Sequence, residues 1–154
     1  MSDNEQLTQL ATSAANAILA SLGFRYELTT EAYEDSVLLM INGPDSRFII
    51  GDEGDRLDDL QYLINRLVQT EWESAPRVRV DCDRYRERAE AKLLRRAHSR
   101  AERVLRTGTP IMMERLNAYQ RRLVHNAMAE IPGIVTQSEE SESRFKRIII
   151  SRAE

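Results

Sequence analysis

Gly51 and Gly54, followed at once by Leu57, Leu60, Ile64, Leu67 and Val68, constrain this chain more than any other stretch. Apolar residues at three- and four-residue intervals form one stripe along a helix, here running to about Trp72, and that stripe must be buried against other elements. Two glycines just before it predict a loop with backbone conformations closed to other residues and open to close approach.

The flanks supply what the stripe packs against. From Glu5 to Leu22, Leu7, Leu10, Ala14, Ala17 or Ile18 and Leu22 repeat with helical spacing, and Gly23 caps the end. Phe24 to Thr30 and Val37 to Ile41 read as strands of a hairpin turning over Glu31 to Asp35. A turn at Asn42 to Asp45 leads into a short helix, Ser46 to Ile50, and Arg77 to Asp81 is a further strand. The order is helix, strand, strand, short helix, G-x-x-G loop, helix, strand.

A long helix from Asp83 to Arg106 opens the second half. Leu93, Leu94, Ala97, Ala101, Val104 and Leu105 fall on one side, and Arg84, Arg88, Lys92, Arg95, Arg103 and Arg106 on the other. Next come a short strand at Ile111 to Glu114, then a helix capped by Asn117 and stopped by Pro132-Gly133. Strands Ile134 to Gln137 and Arg144 to Ser151, joined by a polar turn, close the chain. An α+β fold in two domains, 1–82 and 83–154, is expected, the second with helices packed on a short, mostly antiparallel sheet.

Charge is divided along the chain. The net charge is only −3, yet residues 1–76 carry −10, residues 77–125 carry +8 and the remainder −1. Such asymmetry points to a nucleic-acid surface confined to one part of the chain. Arginine supplies 20 of the 22 cations, favouring bidentate phosphate contacts and stacking over diffuse lysine attraction.

Within the second half, Arg121 and His125 stand four apart on one helix face. A planar guanidinium beside an imidazole suits a phosphate oxygen better than covalent chemistry, and both are expected at the surface, with protonated His125 adding charge near phosphate. The lone Cys82 excludes an internal disulfide, and its place at a strand end marks it as packing rather than nucleophile. Two histidines, His98 and His125, at this spacing do not suggest a metal site, and P-loop, dinucleotide and serine-nucleophile motifs are missing. No enzyme, cofactor or small-molecule substrate is expected; a nuclease with His125 as acid and Glu114 or Glu130 as partner is the weaker alternative. Met112 and Met113 read as core, and Tyr62, Tyr85 and Tyr119 as helix-packing aromatics that could also stack bases. No apolar run approaches 18 residues and the N-terminus lacks a signal-peptide pattern, so a cytoplasmic protein without membrane partners is expected.

Four blocks in order make a pattern: Ile50-Gly51-x-x-Gly54-Asp55-x-Leu57-Asp58-x-Leu60-Gln61-Tyr62-Leu63; Asp81-x-x-x-Tyr85-Arg86-x-Arg88; Arg121-Arg122-x-x-His125; and Thr136-x-Ser138 continuing to Arg144 through Ile150. Together they resemble the bacterial Jag family (SpoIIIJ-associated proteins), over nearly the whole chain. The resemblance implies a type II KH domain, αββααβ, followed by an Arg-three-His domain, and binding of single-stranded RNA or DNA, chiefly RNA. It implies Arg121 and His125 as signature contacts, with Arg122, Arg144, Lys146, Arg147 and Arg88 beside them and Gly51 and Gly54 as the KH loop.

The chain departs from that family between the glycines, where a basic residue is common and Asp52 and Glu53 stand here. Asp52, Glu53, Asp55, Asp58 and Asp59 crowd the loop, with Arg56 as the expected counter-charge. A carboxylate about 6 Å from a phosphate repels it by roughly 0.7 kcal/mol even at the dielectric of water. A weakened KH loop follows, and with it an alternative function: a protein–protein adaptor in cell-envelope or elongation control that docks a protein partner on the acidic half, its nucleic-acid binding vestigial.

Overall fold

The structure, a computed structural model, describes residues 1–154 and divides into two compact units, Met1–Arg86 and Glu87–Glu154.

The first unit begins with α1 (Asp3–Ser21), whose start is fixed by a reciprocal cap: Ser2 Oγ accepts from the Glu5 N–H at 3.2 Å and Glu5 Oε2 accepts from the Ser2 N–H at 2.7 Å. Strands β1 (Glu27–Tyr33), β2 (Ser36–Asn42) and β3 (Arg79–Cys82) form a sheet of order β1-β2-β3, antiparallel between β1 and β2 and parallel between β2 and β3. Between β2 and β3 lie α2 (Ser46–Ile50), a 3-10 turn (Asp52–Gly54) and α3 (Asp55–Glu71). Leu7, Ala11 and Leu19 of α1 meet Leu57, Leu60 and Ile64 of α3 and Leu39 and Ile41 of β2 in one core. Strand β3 and Val78 just before it leave backbone groups unpaired, and α3 satisfies them. Asn65 Oδ1 accepts from the Val78 N–H and its Nδ2 donates to the Val78 carbonyl, both at 2.8 Å, while Gln61 Oε1 accepts from the Val80 N–H at 2.9 Å.

Several readings of this unit change: β1 starts at Glu27 rather than Phe24, β3 at Arg79 rather than Arg77, and Leu22, placed in the apolar stripe of α1, is 62% exposed. The hairpin turn is Glu34-Asp35 alone, with Glu34 at φ +51°, because β1 continues through Glu31 to Tyr33 opposite Leu38 to Ser36. That strand is almost wholly exposed, so it lacks the apolar alternation that would have revealed it. Leu67, read as part of the buried stripe, is 42% exposed, whereas Val68, one residue on, is buried as the stripe predicts.

Helix α4 (Tyr85–Thr107) starts with the last two residues of the first unit, and in the second unit it leads to β4 (Ile111–Leu116), α5 (Ala118–Ala129), β5 (Ile134–Ser138) and β6 (Lys146–Arg152). The sheet order is β4-β6-β5, antiparallel throughout. Leu93, Ala97, Ala101 and Val104 of α4 and Val124 and Met128 of α5 pack on Ile148 and Ile150 of the central strand. Asn117 caps α5 with a reciprocal pair to Gln120 at 2.9 and 3.0 Å, as its sequence position predicts. Strand β4 runs two residues further than expected, β6 starts at Lys146 rather than Arg144, and Arg84, at φ +52°, precedes α4 instead of lying in it. Leu105, assigned to the apolar side, is exposed; Met112, assigned to the core, is 49% exposed, whereas Met113 is buried.

Candidate nucleic-acid interface

The corner where α5, the end of β4 and the start of β6 meet holds Arg121. Its Nη1 donates to the Leu116 carbonyl at 2.7 Å and to the Arg144 carbonyl at 3.2 Å. The side chain is therefore half-buried, tying the segment before β6 to the end of β4, and the expectation of a freely exposed arginine is corrected. Donors beyond those two bonds remain for an anion.

One turn along α5, His125 faces β5. Its Nδ1 lies 2.6 Å from Thr136 Oγ1 and its Nε2 3.1 Å from Ser138 Oγ. Thr136 and Ser138 are two apart on one strand and so present both hydroxyls to the same side. Burial first, and then the neighbouring Arg121 charge, push the imidazole below its ordinary range. Protonated His125 is thus disfavoured in the free protein, contrary to the sequence reading. A neutral ring can donate to one hydroxyl and accept from the other, so it is held rigidly with both hydroxyls beside it.

Lys146 pairs with Leu116 across β4 and β6, at the same end of the sheet as Arg121. Arg122 is exposed on α5, and Arg144 is exposed with its guanidinium 5.7 Å from the Phe145 ring centroid. Arg147 alternates to the opposite face of β6, where its Nη1 meets Met112 Sδ at 3.5 Å. Arg88 is exposed on α4. Arg121, His125, Lys146 and the Arg144 backbone converge; Arg147 does not join them. The sequence reading missed Thr136 and Ser138 as partners of His125, although their spacing in a strand was a usable signal. Glu114, considered as a catalytic partner, is held by Arg96 at 2.7 Å and Arg100 at 3.5 Å, while His125 is held by hydroxyls. No three His, Cys, Asp or Glu side chains converge on a point that would hold a metal.

Gly51 and Gly54 belong to the first unit. Gly51 has φ +72°, Glu53 φ +52° and Gly54 φ +82°, a repeated need for left-handed backbone next to α3. A Cβ on Gly54 would stand 2.7 Å from Tyr85 Cε1, so the loop is seated on that ring. The acidic cluster finds a counter-charge in Arg86, whose Nη1 pairs with Asp58 Oδ1 at 2.6 Å; the Arg56 guanidinium, expected in that role, donates its Nη1 to the Phe48 carbonyl instead. Asp52 and Glu53 themselves stay exposed to solvent.

Residues 91–152 match the Arg-three-His domain family, a span that takes in both Arg121 and His125, so the second unit is an Arg-three-His domain. Over 149 residues the chain is 31% identical to the RNA-binding protein KhpB of Clostridium symbiosum, covering 96% of this chain and 67% of that relative. It is 28% identical over 123 residues to the RNA-binding protein KhpB of Lactiplantibacillus plantarum, covering 80% of this chain and 38% of the relative. The chain belongs to the KhpB family. It spans about two thirds of the first relative's length and well under half of the second's. No helix is long and apolar enough to cross a membrane.

Proposed function

We propose that this protein binds single-stranded nucleic acid, chiefly RNA, through the Arg121–His125 corner of its second unit. The observation that carries the reading is the pinning of those two side chains: Arg121 by two backbone carbonyls and His125 by two hydroxyls, with Lys146 at the same end of the sheet. Contacts fixed before binding lose less entropy when a phosphate arrives. The Arg-three-His match and the names of the relatives support the same class of ligand. The first unit is a KH-like scaffold, supported by its αββααβ order and its glycine loop between two helices, with Asp52 and Glu53 weakening that loop as a phosphate cradle.

A salt titration of the full chain against labelled single-stranded RNA tests this. Three to five neutralised phosphates give a slope of log K against log salt of roughly −2 to −3.5. A flat response, or no binding at low salt, overturns the reading. A second role for the first unit, holding a protein partner, is favoured by one observation: Leu63 and Leu67 lie exposed one turn apart on α3, at 47% and 42%, with Tyr62 at 65% beside Leu63 in sequence. Replacing Leu63 and Leu67 with serine is expected to abolish such association, followed by sedimentation velocity, while leaving RNA affinity intact.

A further inference from the structure

The sheet of the second unit carries helices on one face only. Ile148 and Ile150 of β6 are fully buried under α4 and α5, while the alternate residues turn away from them: Arg147 is exposed and Ile149 half-buried. Met112 and Val135 are open on that second face, at 49% and 48%. Arg115 of β4 stands directly opposite Arg147 there.

That pairing is costly, because like charges directly opposite on antiparallel strands repel. Arg115 has no carboxylate partner, and the guanidinium of Arg147 reaches only Met112 Sδ. The nearby Glu139 uses its Oε1 on the Arg147 backbone N–H at 2.9 Å. A β-bulge creates the arrangement. Met112 pairs with Ile149 and the next pair is Arg115 with Arg147, so β4 carries one extra residue. Without it the residue facing Arg147 would be Glu114, an opposite charge. The bulge instead sends Glu114 to Arg96 and Arg100 and sets two arginines, neither ion-paired to a carboxylate, opposite each other on adjacent strands.

We propose that this helix-free sheet face is a second contact surface for single-stranded nucleic acid, with Arg115 and Arg147 sharing one backbone phosphate and the exposed Phe145 stacking a base. The inference rests on the nucleic-acid reading given above. A phosphate between the two guanidiniums turns their repulsion into a pair of charge-assisted bonds. Met112 and Ile149 next to them offer an apolar and polarisable floor for base rings, which favours a nucleic acid over an acidic peptide. The face is continuous with the Arg121 corner: the Arg144 carbonyl sits on Arg121, Phe145 follows at 45% exposure, and Arg147 is two residues further.

Fluorescence anisotropy of the full chain with oligouridylates of about twelve and about four nucleotides, spanning the site sizes of small single-strand binders, tests the proposal. The R115Q/R147Q variant is expected to bind the long oligomer about tenfold more weakly, the worth of one charge-assisted contact. Its salt slope should be shallower by roughly 0.7, the value for one phosphate. The long oligomer's advantage over the short one should shrink with it. Phe145→Ala should lose several-fold affinity with the slope unchanged. The urea midpoint of R115Q/R147Q should equal or exceed that of wild type. Wild-type affinity and slope in R115Q/R147Q, while Arg122→Gln weakens binding, overturn this proposal and leave the corner standing. A wild-type chain that binds neither oligomer overturns the underlying reading instead. A fall in urea midpoint that accounts for the lost affinity makes the arginine pair structural and overturns the proposal. So does polyglutamate binding that is lost in R115Q/R147Q while RNA binding persists, which would assign the face to an acidic protein.

Discussion

The glycine corner of the first unit and the arginine corner of the second both lie beside the start of a helix, yet they are built in opposite ways. At Gly51 to Gly54 the backbone defines the surface: three residues at positive φ hold it open, Tyr85 lies where a Cβ would go, and the exposed side chains are carboxylates. At Arg121 and His125 the backbone is ordinary helix, and the side chains are the surface, each held by two hydrogen bonds. An anion site made of backbone dipoles can be silenced by neighbouring charge without any change of fold. A site made of pinned side chains cannot lose them without also losing the contacts that knit the fold together.

Gly54→Ala should break this contrast most severely. A left-handed backbone closed to alanine and displacement of the Tyr85 ring together cost about 3 kcal/mol. Trp72, the chain's one tryptophan, is partly buried against the first unit's core and reports that unit's unfolding by its fluorescence. A urea midpoint within error of wild type would show that the glycine is retained for something other than shape.

Arg121→Ala comes next. Removing a charged donor from the carbonyls of Leu116 and Arg144 should cost the second unit about 1.5 to 3 kcal/mol. RNA affinity per folded molecule should fall as well. Far-ultraviolet circular dichroism during urea unfolding, with anisotropy at a concentration where the variant is folded, separates the two. Lost affinity at unchanged stability would return Arg121 to the purely surface role that its sequence suggests.

These outcomes bear on what the sequence could show. The helices were legible because their stripes and caps are local: Leu57 to Val68 and the Asn117 cap fix α3 and α5 from a few neighbouring residues. Strand β1 was cut short because an exposed edge has no alternation to read. Arg121 looked like a surface residue because its second acceptor, the Arg144 carbonyl, is 23 residues away. The pairing of His125 with Thr136 and Ser138 required knowing that α5 lies over β5, and the apposition of Arg115 and Arg147 depended on a bulge that no composition announces. Residue type carried the chemistry at each site, and non-local pairing decided which groups met.

Reversing the charge between the glycines should have a smaller effect, and only on binding. D52K/E53R keeps both glycines and turns two exposed repulsive charges into attractive ones, so RNA affinity of the full chain should rise several-fold at low salt and converge on wild type as salt screens it. An unchanged affinity at low salt would mean that the first unit does not meet the strand at all, and that its glycine loop serves the fold or a protein partner.

The smallest expected effect is the pH dependence of the pinned histidine. Burial first and the Arg121 charge second hold His125 below its ordinary range. The unfolded chain therefore takes up a proton near the usual value of about 6.5, which the folded chain resists. Stability from this group is complete above that value and declines as pH falls through it towards the lowered folded value. His125→Gln, which keeps a neutral hydrogen-bonding side chain between Thr136 and Ser138, should lose this dependence. The difference in urea midpoint between wild type and variant should then narrow between about pH 7.5 and about pH 5.5, while exposed His98, common to both, cancels from the comparison. A gap that widens on acidification would mean that protonated His125 is the favoured form in the fold, and that the corner presents two fixed cations rather than one cation and a neutral ring.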